Sequence, residues 1–163
     1  MEKINKILAP TDFSELSQAG VRYALELAKA VKAEVTIYHV VNLAEFKLTE
    51  GTSEERLRPF PHPVQTYQQA MSRFTKTHFA DLTADVKVHE KVEMGIAEKN
   101  IVNLAEEESM DLIVISTHGR TGLSHMLVGS VTEKVVRLAR CPVLSIPSHT
   151  KDEAKGKMAA AAS

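Results

Sequence analysis

The chain has few of the residues that staple small folds together. It has one cysteine, Cys141, among 163 residues, and no tryptophan. A single cysteine excludes an intrachain disulfide and cannot build a zinc site. Seven glycines and six prolines are too few for a collagen. No apolar stretch approaches the ~18 residues of a membrane span. The N-terminus MEKINKILAPTDF has too short an apolar run before Pro10 and Asp12 for a signal-peptide core. Excess charge is missing too: 20 Lys and Arg stand against 21 Asp and Glu, net −1. That balance supplies no field to draw the chain to nucleic acid or to an acidic membrane. The expected location is the cytoplasm, as the lone thiol suits a reducing compartment.

Several catalytic and nucleotide-binding signatures are also absent. There is no G-x-G-x-x-G, no G-x-x-x-x-G-K-[ST], no H-E-x-x-H and no G-x-S-x-G. What remains is a globular composition, 44% apolar and 25% charged, of a length suited to one domain. The expected domain is 1–147. The tail 148–163, polar and then alanine-rich, has little to bury and is expected to be disordered.

Short apolar runs alternate with helical periodicity. Ile4–Ala9 reads as a strand ending at Pro10. Leu16, Gly20, Tyr23, Leu27 and Val31 recur at helical spacing, with Ser14 at the N-cap position. Val35–Val41 is a β-branched run suited to a strand covered on both faces. Residues 42–63 lack a period, and Pro59, Pro61 and Pro63 exclude a regular helix there, so a surface excursion is expected. A helix returns from Val64 through Tyr67, Met71, Phe74, His78 and Leu82. Val86, Val88 and Val92 alternate with lysines, as on a half-exposed strand near a sheet edge. Then come a short helix around Ile101, Leu104 and Ala105, a buried strand Leu112–Ile115, and a glycine-containing loop. A helix over about 131–140 and a strand Pro142–Ile146 close the chain. Strands alternating with helices imply right-handed crossovers and a parallel sheet covered on both faces. Ligands of such sheets bind outside the carboxyl ends of the strands, where strand order reverses. The places to look are the ends of the first, second and fourth strands.

Two segments there carry chemistry. In Ala9-Pro10-Thr11-Asp12-Phe13-Ser14, Asp12 can accept hydrogen bonds from a ligand, or Asp12 and Ser14 can cap the following helix. In Ser116-Thr117-His118-Gly119-Arg120-Thr121-Gly122 and then Gly129-Ser130-Val131, glycines leave amides open to phosphate oxygens beside a helix N-terminus. Ser130 can add a hydroxyl, and Arg120 and His118 are candidate phosphate contacts. The competing reading is a capping box, Ser130 with Glu133. His39 reads as a hydrogen-bonded core or rim residue, Cys141 as a small buried hydrophobe, Met71 and Phe74 as core, and Glu106-Glu107-Glu108 as a solvated helix end. No general base or positioned nucleophile is evident.

Together, KILAPTDFSE, IYHVV, DLIVISTHGRTGL and LVGSVTEKVVRLARCPVLSIP make the chain resemble the universal stress protein family from Met1 to about Pro147. The resemblance implies an α/β, flavodoxin-like, doubly wound three-layer sandwich with a five-stranded parallel sheet of order 3-2-1-4-5. One branch of that family binds ATP through G-x2-G-x9-G-[ST]. Here Gly119, Gly129 and Ser130 match, and Ser116 stands where the first glycine would be. The implied nucleotide-binding residues are Pro10, Thr11, Asp12, Val40, Ile115, Ser116, Gly119, Gly129, Ser130 and Val131. The implied ligand is ATP with Mg²⁺ or Mn²⁺. The implied assembly is a homodimer through the last strand, at Val143, Leu144 and Ile146. A dimer that binds no nucleotide and a slow adenine-nucleotide hydrolase are the alternatives.

Overall fold

The computed structural model describes residues 3–42, 63–117 and 129–147. The elements are β1 (Lys6–Pro10), α1 (Glu15–Val31), β2 (Glu34–Asn42), α2 (Pro63–Thr83), β3 (Val88–Gly95), α3 (Ala97–Glu107), β4 (Leu112–Ser116), α4 (Ser130–Leu138) and β5 (Val143–Ile146). The strands form one parallel sheet in the order β3-β2-β1-β4-β5. The expected excursion is shorter at both ends, since Asn42 closes β2 and Pro63 opens α2, where a first-turn proline is tolerated; its remainder, most of the glycine loop and the tail lie outside the described residues.

Alternation along the strands sends side chains to two cores. Ile7, Ala9, Val35, Ile37, Leu112 and Val114 meet α1 and α2 on one face. Leu8, Tyr38, Ile113 and Ile115 meet α3 and α4 on the other. Ile7, Leu8, Val35, Ile37, Ile113 and Val114 are all fully buried, each burial worth about 1.5–3 kcal/mol. β2 is covered on both faces for most of its length, as its apolar run implies. β3 is the half-exposed edge, but it spans Val88–Gly95, so Val86 is buried in the turn before it. Met71 and Phe74 are core residues.

Helix ends follow local chemistry. Ser14 caps α1, its Oγ accepting from the Ser17 N–H at 3.1 Å. The stripe of Gly20, Ala24 and Ala28 brings α1 close to the sheet. The acidic run Glu106-Glu107-Glu108 closes α3, and Glu106 and Glu107 are exposed, as expected of a solvated helix end. Glu108 pairs with Lys91 at 2.9 Å and Glu106 with Arg140 at 3.0 Å, because the helix ends above the β3 surface and beside the α4–β5 turn.

β1 and β2 hand the chain to helices on one face, β3 and β4 to helices on the other. Between the carboxyl ends of β1 and β4 the chain therefore departs in opposite directions, and a gap opens.

Candidate functional site

That gap is a cleft of about 260 Å³. It is lined by Pro10, Thr11 and Asp12 from the end of β1, and by Ser17 of α1. Tyr38, His39, Val40 and Asn42 come from β2, Ala97 and Ile101 from α3, and Ile115 and Ser116 from β4. Gly129, Ser130, Val131 and Thr132 come from the start of α4. Of the residues singled out in the sequence, Pro10, Thr11, Asp12, Val40, Ile115, Ser116, Gly129, Ser130 and Val131 therefore meet around one hollow. His118, Gly119 and Arg120 lie outside the described residues.

At the end of β1, the Thr11 N–H donates to the Tyr38 carbonyl at 2.8 Å, the last rung between β1 and β2. Asp12 then turns the chain. Its Oδ1 accepts from the Ser14 N–H at 3.0 Å and from the Ser14 hydroxyl. The capping role weighed for Asp12 is thus present, on a residue that also borders the cleft. Phe13 follows with φ of 63°, a left-handed conformation costing an L-residue roughly 1–2 kcal/mol. Ring packing holds it there: its centroid lies 4.2 Å from His39 and 5.3 Å from Phe74. His39 Nδ1 lies 2.8 Å from the Thr11 carbonyl. A carbonyl only accepts, so Nδ1 carries the proton in this bond.

β2 contributes main chain as well as side chains. Its even-numbered residues address β1: the Glu34 N–H reaches the Asn5 carbonyl, and the Tyr38 carbonyl receives Thr11. Its odd-numbered residues address β3, as the Val35 N–H to Lys87 carbonyl bond shows. Val40 is even, and β1 has ended at Pro10. Its N–H and carbonyl therefore face the cleft. Below it, the buried Tyr38 hydroxyl donates to Glu93 Oε2 at 2.6 Å. Burial first, then that carboxylate, pushes the phenol far up, so it stays protonated.

The α4 end departs from the capping-box reading. Gly129 is the N-cap residue, no side chain caps the helix, and Ser130 is its first residue. The Glu133 N–H donates to the Gly129 carbonyl. The amides of Ser130, Val131 and Thr132 precede that first bond and have no acceptor within the helix. They present a partial positive charge at the cleft. The Gly129 N–H is different: it is turned inward onto the Thr117 carbonyl. Gly129 has φ −68° and ψ 153°, so its backbone conformation does not itself require glycine.

Ser116 resolves a question left by the sequence. It closes β4 and is absent from the residues with positive φ, so serine in place of glycine carries no backbone penalty there. Its Oγ accepts from the Gly20 N–H at 2.9 Å and donates to the Ser17 carbonyl at 3.3 Å.

Sequence reasoning missed Ser17, Tyr38, Asn42, Ala97, Ile101 and Thr132, and read His39 only as a core or rim residue. A signal existed for some. Ser17 is one turn beyond Ser14, and Thr132 shares a turn with Ser130. α3 begins at the carboxyl end of β3, so its first turn borders the same rim. Cys141 lies outside the cleft lining and is partly buried. Burial pushes its thiol up, away from the thiolate a nucleophile needs. Among the described residues, no group of three or more His, Cys, Asp or Glu could hold a metal ion. Nor is any described helix long and apolar enough to cross a membrane.

Comparison with known proteins places this geometry. The model of the universal stress protein family matches residues 3–147. The chain is 36% identical to universal stress protein MJ0531 of Methanocaldococcus jannaschii, covering 90% of this chain and 84% of that protein. It superposes on the solved structure of MJ0577, a universal stress protein of the same organism, with a TM-score of 0.71 at 32% identity. That match covers 92% of this chain and 100% of MJ0577. The universal stress protein from Archaeoglobus fulgidus, solved in complex with dAMP, shares the fold. Its TM-score is 0.55 at 20% identity, over 90% of this chain and 99% of that one. The family match runs through every strand and helix that shapes the cleft, and the chain belongs to the universal stress protein family.

Proposed function

We propose that this chain is an adenine-nucleotide-binding module that holds ATP in the cleft and acts in a stress response as a homodimer. One observation carries the reading. The main chain of Val40, beyond the last rung between β1 and β2, and the first-turn amides of α4 border the same hollow, one suited to a base edge and the other to phosphates. A strand N–H beside a carbonyl offers a donor and an acceptor to the paired acceptor and donor of adenine. Ala97, Ile101 and Ile115 give the base an apolar wall. Asp12 serves a ribose hydroxyl or the amino group. The amides of Ser130 and Val131, with the Ser130 hydroxyl, receive the phosphates. The complex of an A. fulgidus relative with dAMP supports the ligand class. A volume of about 260 Å³ falls just below the roughly 300–1,000 Å³ of small-molecule sites. It suits a nucleoside whose phosphates extend along the mouth. Mg²⁺ or Mn²⁺ would enter on the nucleotide, and Ser130 would offer it a hydroxyl oxygen at the start of α4. Gly119, Arg120 and His118 belong to this reading as further phosphate contacts.

The dimer follows from β5. Among the described residues its only sheet neighbour is β4, and Val143, Leu144 and Ile146 are only partly buried. A second copy covers that edge.

A second reading, a dimer without nucleotide, is favoured by two bonds: Gly129 N–H to Thr117, and Ser14 to Asp12. Calorimetric titration with ATP separates the two. Gly129→Val puts a branched side chain beside the first-turn amides at a φ and ψ that valine can adopt. The expected result is ATP binding by the native chain, weakened at least tenfold in Gly129→Val. Absence of heat with the native chain would refute the nucleotide reading.

A further inference from the structure

We propose that Ser116 and Thr132 are positioning residues whose hydroxyl groups clamp the first turn of α4 to α1. The inference rests on the nucleotide reading for its functional consequence, and on hydrogen bonding for the clamp itself.

α4 has nine residues, lacks a side-chain N-cap and follows a long connection. Such an end frays unless something tethers it. The tether is a chain of side-chain bonds. The Thr132 Oγ1 donates to the Ser116 carbonyl at 2.8 Å. On β4, odd-numbered residues address β5: the Ile113 N–H reaches Pro142 and the Thr117 N–H reaches Ile146. Ser116 is even, so its carbonyl points toward the β1 side, beyond the last β1–β4 partners at Leu8 and Ile113. Thr132 satisfies a carbonyl that no strand reaches. From the same residue, Ser116 Oγ donates to the Ser17 carbonyl and accepts from the Gly20 N–H of α1. Ser17 continues the chain, its Oγ lying 2.8 Å from Thr11 Oγ1 at the end of β1. Both Ser116 and Thr132 are at most 5% exposed.

Each hydroxyl has one proton, and both protons are spent on protein carbonyls. Ser116 and Thr132 therefore act on a ligand only through what they position. What they position is the phosphate end of the cleft. Loss of the clamp should weaken a triphosphate and spare a nucleoside, a split that general destabilisation does not produce.

The test uses the full chain, with Thr132→Val, Ser116→Ala and the conservative Thr132→Ser. In the ligand-free protein, amide exchange at Glu133, Lys134 and Val135 should be about tenfold faster in Thr132→Val and near native in Thr132→Ser. In calorimetry, Thr132→Val and Ser116→Ala should bind ATP about tenfold more weakly and adenosine within about twofold of native. Unchanged exchange, or equal loss of ATP and adenosine, overturns the clamp. A native chain that binds no ATP overturns the nucleotide reading, and the exchange result then still decides the clamp. If Thr132→Val fails to fold, Ser116→Ala carries both measurements.

Discussion

Replacing Gly20 by alanine sets local propensity against packing, and the two predict opposite signs. Gly20 lies inside α1, where alanine is favoured over glycine by about 1 kcal/mol. A Cβ at Gly20, however, would stand 2.8 Å from Ser116 Oγ, 2.9 Å from Ser116 N and 3.2 Å from the Ile115 carbonyl carbon. Two of these are backbone atoms of β4, a strand buried throughout. They cannot swing aside as a side-chain tip would. Overpacking of this kind costs about 1–3 kcal/mol. Displacing Ser116 also sacrifices the bond from the Gly20 N–H, worth about 1 kcal/mol. Subtracting the propensity gain leaves a net loss of about 1–3 kcal/mol. At this chain length, a central loss of about 2 kcal/mol lowers the thermal midpoint by roughly 4–8 °C. Urea denaturation and thermal melts of native and Gly20→Ala proteins measure it directly. The double variant with Ser116→Gly should recover only part of the loss, because the Ser116 and Ile115 backbone contacts remain. A Gly20→Ala protein more stable than native would refute the reasoning: α1 would then not be pressed against the end of β4.

Two further predictions follow from hydrogen bonding. On β5 the carbonyls of Pro142 and Ile146 serve β4, so the N–H groups of Val143 and Ser145 face the open edge. Ser145→Pro should remove one of these without breaking a β4 rung. It should give a folded monomer in sedimentation velocity, and an unchanged dimer or a monomeric native chain would count against the β5 interface. The second concerns acid. The Tyr38 hydroxyl, and then Lys91, hold the Glu93 carboxyl below the usual glutamate range. A depressed carboxylate contributes stability that is complete above its unfolded value and lost as pH falls through the folded one. The advantage of native protein over Tyr38→Phe should therefore be full at neutral pH and shrink in acid. Denaturant titrations from neutral pH down to about pH 3 read this. A constant difference across that range would show that the bond does not link to Glu93 ionisation.

Element order and type were legible because the physics that sets them is local. The β-branched run of β2, the small-residue stripe of α1 and the proline that ends β1 each act within a few residues. Parallel topology then followed from alternation, and family resemblance supplied the strand order. Strand ends were less legible. Val86 has the pattern of a strand residue but packs in a turn, since only pairing with β2 decides where β3 begins. The lining of the candidate site was legible where it lies in connections after strands, as at Asp12 and Gly129. It was illegible where a residue contributes from a helix that only the fold brings near, as with Ala97 and Ile101.

The chain alone determined which segments are helix or strand, which faces are apolar, and that a glycine directly precedes α4. Those properties depend on side chains and dihedral angles over one or two turns. Tertiary structure decided what Ser116 does, that Gly129 rather than Ser130 caps α4, and that the main chain of Val40 faces open space. Each of these depends on which groups from distant segments arrive to take a hydrogen bond, and that is settled only when the sheet is assembled.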